Sequence, residues 1–216
     1  MNKLFSAVKV LIWDFDGTLY PPNPKLWQAV REAEYKTIAV HTGWPREKVI
    51  AEFERYHKKV LPSATETVGK LAGITTTAAA LEMEGYYDRR DYLKRDERLV
   101  TFFQHLGKLT HWMLANGVRH RIEETLALLG VPKETFVEIV TSEVVGVNKP
   151  HDAGFRYILD KTGLVPSEHL MIGDREQVDL APAKGLGIKT CLVWSKTPGA
   201  IADATLPSVY DLPSLL

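Results

Sequence analysis

The 216-residue sequence has little cysteine, no excess of charge of either sign and no long apolar run. Its single cysteine, Cys191, cannot form a disulfide within the chain, which fits a reducing compartment, and the run KTCLVW around it favours a small buried side chain. Lysine plus arginine equals aspartate plus glutamate at 27 each, so no basic field attracts nucleic acid. No apolar stretch approaches the roughly 20 residues that cross a bilayer. These absences predict a cytoplasmic protein with a small partner and no membrane or nucleic acid contact.

Five short apolar runs are typical of strands buried on both faces of a parallel sheet. They span residues 9–13, 109–114, 136–141, 169–172 and 189–194. Between the later runs, apolar residues recur at helical spacing and stop at Gly130 and Gly163. Because strand and helix alternate from about residue 109, the sequence predicts an α/β fold with a doubly wound, Rossmann-like parallel-sheet core.

Residues 21–97 break this alternation, because they contain helical patterns and no convincing strand. The pattern predicts an all-helical cap domain inserted directly after the first strand, with residues 1–20 and 98–216 forming the catalytic core. The cap would lie over the loop that leaves the first strand. Its predicted linkers are residues 20–24 and 88–98, although the second could equally begin a core helix.

Two carboxylates, Asp14 and Asp16, follow the first predicted strand, and Asp174 and Asp179 follow the fourth. In open α/β sheets, ligands bind at the carboxyl ends of the strands, so all four side chains are expected at one edge. Neighbouring carboxylates repel each other unless a cation or a shared proton relieves them. A hard divalent cation is therefore the predicted companion.

Positive and anion-binding groups are predicted at the same edge. Lys149 follows the third predicted strand in the loop VNKP, and Asn116 and Gly117 follow the second. A helix that begins there would aim free backbone N–H groups at an anion. Carboxylates for a metal, a lysine, a helix N-terminus and an aspartate able to attack phosphorus together describe a phosphoryl-transfer site.

The assembled pattern resembles the haloacid dehalogenase superfamily of aspartate-nucleophile hydrolases. The first family motif is residues 14–18 (DFDGT), the lysine motif is Lys149 with Pro150, and the acidic motif is Asp174 with Asp179. The resemblance extends over the whole chain in order and spacing, and includes the cap between the first and second motifs. The cap and the string DFDGTLY are similar to those of the subgroup that includes phosphoglycolate phosphatases, nucleotidases and β-phosphoglucomutases.

The resemblance implies a role for each motif residue. Asp14 would attack phosphorus and become an aspartyl phosphate, and Asp16 would protonate the leaving oxygen and then accept a proton from water. Lys149 would neutralise charge on the nucleophile and the phosphoryl group, which Asn116 and Gly117 would also bind.

The resemblance also implies a magnesium site. Mg²⁺ would be held by a carboxylate oxygen of Asp14, the backbone carbonyl of Asp16 and the side chain of Asp174, with Asp179 as a ligand or a support. The implied function is Mg²⁺-dependent hydrolysis of a small phosphorylated metabolite by a monomer or small homo-oligomer.

The sequence departs from the family pattern at Ala115, where a threonine or serine usually donates to the phosphoryl oxygens. This departure leaves open a weakly active or non-catalytic protein that keeps the fold and the metal site. A phosphomutase is also open, whereas Asp16 argues against a dehalogenase, which needs no acid for a halide leaving group. In the cap region, Arg89 and Arg90 could contact a substrate, but they are expected to be surface charges.

Overall fold

The computed structural model describes residues 4–57, 59 and 63–216, so the parts of the predicted core and cap at residues 1–3, 58 and 60–62 lie outside it. Within the described residues, a parallel sheet has the strand order β3-β2-β1-β4-β5-β6. The strands are β1 (Val10–Trp13), β2 (Thr110–Leu114), β3 (Ile139–Val140), β4 (His169–Gly173), β5 (Lys189–Leu192) and β6 (Ala204–Thr205). The predicted α/β parallel-sheet class is confirmed.

The strand order places β1 in the middle of the sheet, between β2 and β4. Trp13, the last residue of β1, pairs with Met113 on one side and with Ile172 on the other. All three strands therefore end at nearly the same level. This register brings the loops after β1, β2 and β4 together at one edge, which is the edge predicted to bind a ligand.

Two strands differ from the sequence-based expectation. The run at 136–141 forms a strand only over Ile139–Val140, because Thr141 already caps the next helix by accepting a hydrogen bond from the Glu143 N–H. Strand β6 was not predicted, since Ala204 and Thr205 are half-buried and do not form an apolar run.

The helices of the described residues fall into two groups. Four follow β1: α1 (Pro24–Thr42), α2 (Arg46–Tyr56), α3 (Ala64–Ala72) and α4 (Thr76–Glu84). The others lie between or beside the later strands: α5 (Glu97–His105), α6 (Arg119–Leu129), α7 (Ser142–Val145), α8 (Ala153–Thr162) and α9 (Ala181–Gly185).

Helices α1 to α4 share an apolar cluster of their own that includes Ile38, Val49, Phe53 and Val68. Such a separate cluster is what an inserted cap requires, although the division at residues 20/21 and 97/98 stays a prediction. Helix α5 begins at Glu97, so the stretch 88–98 is a connection that ends in a core helix.

The two connections between cap and core meet at the start of α1. The side chain of Asn23 accepts hydrogen bonds from the N–H groups of Lys25 and Leu26, which caps the helix. Its amide nitrogen donates to the carbonyl of Tyr92, on the returning connection, at 3.2 Å. The same residue therefore begins the cap and joins its two linkers.

Apolar side chains cover both faces of the sheet, as the continuous apolar strands predict. Cys191 lies in β5 with no exposed surface, in agreement with the predicted buried thiol, and burial raises its pKa to about 12. Among the residues that the structure describes, no helix is long and apolar enough to cross a membrane.

Candidate active site

Asp14 follows the last residue of β1 and is almost completely buried, with 2% of its surface exposed. Its Oδ1 accepts a hydrogen bond from Lys149 Nζ at 2.8 Å, and its Oδ2 accepts one from the Thr18 hydroxyl at 2.9 Å. Burial and the charge of Asp179 raise the pKa of Asp14, while Lys149 opposes the shift. The carboxylate is thus fixed by two donors at the edge where ligands are expected.

Lys149 is as deeply buried as Asp14, and it contacts two carboxylates. Its Nζ lies 2.7 Å from Asp179 Oδ1 in addition to its bond with Asp14. Burial lowers its pKa, but the two carboxylates more than compensate and hold the pKa above its ordinary value. The ammonium group is therefore charged, and it is in contact with the predicted nucleophile.

Asp14, Asp174 and Asp179 form an acidic group whose nearest oxygens all lie within 4.8 Å of one another. Oδ1 of Asp174 is buried without a hydrogen bond, and Arg175 Nε lies 3.5 Å from it. Burial and the neighbouring Asp14 charge raise the pKa of Asp174 to about 8. Three converging carboxylates, one with an unpaired oxygen, fit a hard divalent cation such as Mg²⁺.

Gly17 allows this acidic group to form. Its φ is +81°, and a Cβ at this position would lie 2.5 Å from Oδ2 of Asp174. Only glycine adopts this backbone conformation at little cost and leaves the space free. The glycine of the DFDGT motif therefore gives the carboxylate after β4 room beside the loop after β1.

Asp16 turns away from the acidic group and toward the cap. Arg89 donates to both of its oxygens, from Nε at 2.8 Å and from Nη2 at 2.7 Å, and the Tyr20 hydroxyl donates to Oδ1. Although burial acts in the opposite direction, these donors hold the pKa of Asp16 below its ordinary value. The side chain of Asp16 therefore lies outside the predicted metal cluster, as expected if only its backbone carbonyl is a ligand.

The expectation that Arg89 is a surface charge is wrong. Its side chain is 4% exposed, and beyond Asp16 it donates to Glu84 from Nη1 at 2.5 Å and from Nη2 at 2.9 Å. Arg90 does match the expectation, because it pairs with Asp88 and is half exposed. Adjacent arginines look alike in a sequence, and only the fold shows which one turns inward.

Asn116 braces the lysine loop. Its amide nitrogen donates to the carbonyl of Lys149, and its amide oxygen accepts from the N–H of Lys149, both at 2.8 Å. The amide oxygen and one amide hydrogen of its side chain are therefore occupied, and the backbone N–H groups are further donors for the predicted phosphate contact. In the described part of the chain, the backbone N–H groups of Asn116 and Gly117 donate to no acceptor.

The helix predicted to start at Asn116 starts later. Helix α6 begins at Arg119, whose N–H donates to Glu143 Oε2 at 2.7 Å. The first turn of α6 thus already faces a carboxylate, and the predicted helix N-terminus directed at the phosphate is wrong. The reason is local: Asn116 and Gly117 form the bend that leads from β2 into the helix.

A small cavity lies between these residues and the cap, with a volume of about 90 Å³. The core contributes Asp14, Phe15, Asp16, Ala115, Asn116 and Arg175 to its walls. The cap and its linker contribute Trp27, Val30, Glu34, Ser63, Ala64, Thr65, Ala80, Met83, Glu84, Tyr87 and Arg89. The sequence could not identify the cap residues, since helical periodicity does not say which face covers a distant strand end.

Glu34 is an unusual member of this wall. It is 3% exposed, and its Oε2 lies 2.8 Å from Nη1 of Arg31 without the geometry of a hydrogen bond. Burial, only partly opposed by Arg31, raises its pKa to about 7. A carboxyl group buried with an unsatisfied oxygen at a cavity wall is a candidate ligand contact.

Several known proteins are similar to this chain in sequence or fold. A protein from Methanopyrus kandleri named glyceraldehyde 3-phosphate phosphatase is 26% identical over 195 residues, which cover 85% of this chain and 82% of that protein. A protein of the same name from Methanocaldococcus jannaschii is 37% identical over 78 residues, 36% of this chain and only 34% of its own length. The crystal structure of a HAD phosphatase from Thermococcus onnurineus has a TM-score of 0.67 at 18% identity and covers 95% of this chain and 96% of its own, which shows a shared fold.

The family comparison is broader than any single relative. The profile of the haloacid dehalogenase-like hydrolases matches residues 8–187, which include the strand-end residues described above and the whole cap. With this match, the shared fold and the order of the motifs, the chain belongs to the haloacid dehalogenase-like hydrolases.

Proposed function

We propose that this hydrolase is a Mg²⁺-dependent phosphatase that hydrolyses a small phosphorylated metabolite through an aspartyl-phosphate intermediate. The observation that carries the proposal is the Asp14 carboxylate: it is buried at the end of β1, oriented by Lys149 and Thr18, and opens onto a cavity. A fixed nucleophile beside a cation is what phosphoryl transfer requires. Relatives named as phosphatases support the same chemistry.

Each side chain at the site then has a defined role in the reaction. Asp14 attacks phosphorus, and the bond to the leaving oxygen breaks as that oxygen takes a proton from Asp16, which later removes a proton from the hydrolytic water. Because Arg89 and Tyr20 favour the ionised form of Asp16, this role requires that Asp16 take up a proton before the leaving group departs. Lys149 offsets the negative charge that gathers on Asp14 and on the phosphoryl group. The free N–H groups of Asn116 and Gly117 are donors for the phosphoryl oxygens.

The metal site is assigned to Asp14, Asp174 and Asp179, with the backbone carbonyl of Asp16 as a further ligand. The unpaired buried oxygen of Asp174 supports this assignment. When bound, Mg²⁺ would offset the charge of the carboxylates and of the phosphoryl oxygens. Without it, Lys149 and Arg175 are the cations that face this acidic group.

The test is phosphate release from a panel of phosphorylated metabolites and 4-nitrophenyl phosphate, with Mg²⁺ and with EDTA. We expect release that needs the metal and that disappears in Asp14→Asn, because the amide cannot attack phosphorus. Release by Asp14→Asn at the wild-type rate would exclude Asp14 as the nucleophile. Metal binding without any release would favour the alternative of a binding protein, which Ala115 motivates.

A further inference from the structure

Among the residues that the structure describes, the cap wall of the cavity has acceptors but no free cation. Glu34 and Glu84 contribute two carboxylates to this wall. Arg89 is the cation among the described residues of the cap and its linker that line the cavity. Arg89 already makes four hydrogen bonds, two to Glu84 and two to Asp16. Its five N–H groups are therefore nearly all used, and little remains for a second anionic group on a substrate.

The described core residues at the site offer no free cation either. Lys149 is shared between Asp14 and Asp179, and Arg175 Nε lies 3.5 Å from Asp174 and 3.8 Å from Asp179. These cations face the acidic group and the position of the phosphoryl group. A carboxylate on the leaving part of a substrate would instead meet the carboxyl groups of the cap.

Of these two cap carboxyl groups, Glu34 is the one with an oxygen that makes no hydrogen bond. Glu84 is held by Arg89 through both oxygens, whereas Oε2 of Glu34 has no hydrogen bond and Arg31, its ion-pair partner, is one-third exposed. Thr65 and Ser63 add hydroxyl groups to the same wall. Glu34 lines the cavity of about 90 Å³ beside Asp14 and also a second cavity of about 760 Å³, which Arg31, Asp174 and Arg175 line as well.

We propose that the leaving part of the substrate is uncharged and hydroxylated, and that Glu34 selects it by accepting a hydrogen bond from one of its hydroxyl groups. This proposal rests on the proposed phosphatase function. It makes Glu34 a specificity-determining residue with no part in the phosphoryl chemistry. A site that repels an anion and pairs a hydroxyl group discriminates through both effects.

Two esters that differ at one carbon test this proposal. Glycerol 3-phosphate and 3-phosphoglycerate have the same alkyl phosphate, but the first ends in a hydroxymethyl group and the second in a carboxylate. At pH 8, where Glu34 with its pKa of about 7 is mostly ionised, we expect wild-type kcat/KM to favour glycerol 3-phosphate by at least about tenfold, because a like-charge contact costs more than that factor. The ratio of the two values within one enzyme cancels any difference in the amount of folded protein.

The decisive variant is Glu34→Gln, which keeps an acceptor oxygen and removes the charge. In this variant, the ratio of kcat/KM for glycerol 3-phosphate to kcat/KM for 3-phosphoglycerate should fall by about tenfold. Glu32→Gln makes the same change two positions earlier on α1, at a half-exposed residue paired with Arg46, and should keep the wild-type ratio.

The outcomes separate this inference from the function on which it rests. If 4-nitrophenyl phosphate is hydrolysed but wild type does not prefer glycerol 3-phosphate, or Glu34→Gln leaves the ratio unchanged, the inference about the substrate is wrong and the phosphatase remains. If no ester releases phosphate, the phosphatase proposal fails, and the substrate class fails with it.

Discussion

Ala115 brings a methyl group to the cavity wall, next to the residues that surround Asp14. The Ala115→Ser variant adds one oxygen at the position where the family usually carries a hydroxyl donor. We expect kcat/KM to rise about two- to tenfold, since one neutral hydrogen bond contributes roughly 0.5 to 1.5 kcal/mol. Steady-state phosphate release measures the change. Ala115→Val adds bulk without a donor and should bring no gain; an equal rise in both variants would contradict the hydrogen-bond explanation.

Glu34 also predicts how stability depends on pH. Its pKa rises from 4.5 to about 7 through burial, so between these values the unfolded chain releases this proton first and unfolding becomes easier as pH rises. The full effect, present above pH 7 and absent below 4.5, is about 3 kcal/mol. Glu34→Gln has no such proton. Urea unfolding from pH 4 to 8 should therefore show the variant gaining stability relative to wild type as pH rises; a constant difference would contradict the raised pKa.

The sequence identified the strand-end residues because a strand, a loop and a charged residue are local features. The structure places Asp14 and Lys149 in contact, and Asp174 and Asp179 beside them, although their catalytic and metal roles stay predictions. Glu34 and Arg89 escaped because their importance depends on how a helical insertion folds over the sheet. A charged residue on a helix gives no signal of such long-range placement.

At the scale of elements, Arg89 ties three segments together. It lies in the connection that returns from the cap, and its guanidinium binds Glu84 at the end of α4 and Asp16 in the loop after β1. A buried ion pair adds little net stability, but removing one partner leaves buried charge unpaired. The Arg89 side chain therefore links the cap to the core, in addition to the bond from Asn23 to Tyr92.

Arg89→Met should lower the free energy of unfolding by about 3–5 kcal/mol, because two carboxylates would then face each other without a cation. Arg90→Met is the matched control: it removes the neighbouring arginine, which forms an exposed pair with Asp88, and should cost no more than about 1 kcal/mol. Chemical denaturation of both variants gives the comparison. Equal losses of unfolding free energy in the two variants would mean that the buried position of Arg89 does not make its removal more costly.

Element prediction succeeded where periodicity was long and failed where it was short. Strands β1, β2, β4 and β5 are apolar runs on a parallel sheet, and the sheet confirmed them with small changes at their ends. The edge strand β6 has two half-buried residues, and the strand at 136–141 is cut short by a helix cap at Thr141. Both depend on tertiary packing, which a run of apolar residues does not encode.

For the whole molecule, the acidic group exists only after folding. Asp14 and Asp179 come from segments on either side of the cap, and Lys149 pairs with Asp14 across 135 residues of chain. A cation that binds this group binds the folded chain alone, and so it stabilises the fold.

Mg²⁺ should therefore raise Tm, and EDTA should reverse the rise. At a free concentration about a hundred times Kd, the expected stabilisation is about 2.7 kcal/mol, which is several degrees for a chain of this size. Asp174→Asn should lose most of this shift, whereas Asp160→Asn, at an exposed position on α8, should keep it. A thermal shift assay decides the matter, and an unchanged shift in Asp174→Asn would remove Asp174 from the metal site.

The buried position of Cys191 has a practical consequence. The chain has one thiol, it has no exposed surface, and its raised pKa keeps it protonated near neutral pH. A cysteine introduced on the surface of the cap would then be the reactive thiol of the folded protein, without mutation of the native one. A single fluorophore attached there would report opening and closing of the cap in real time.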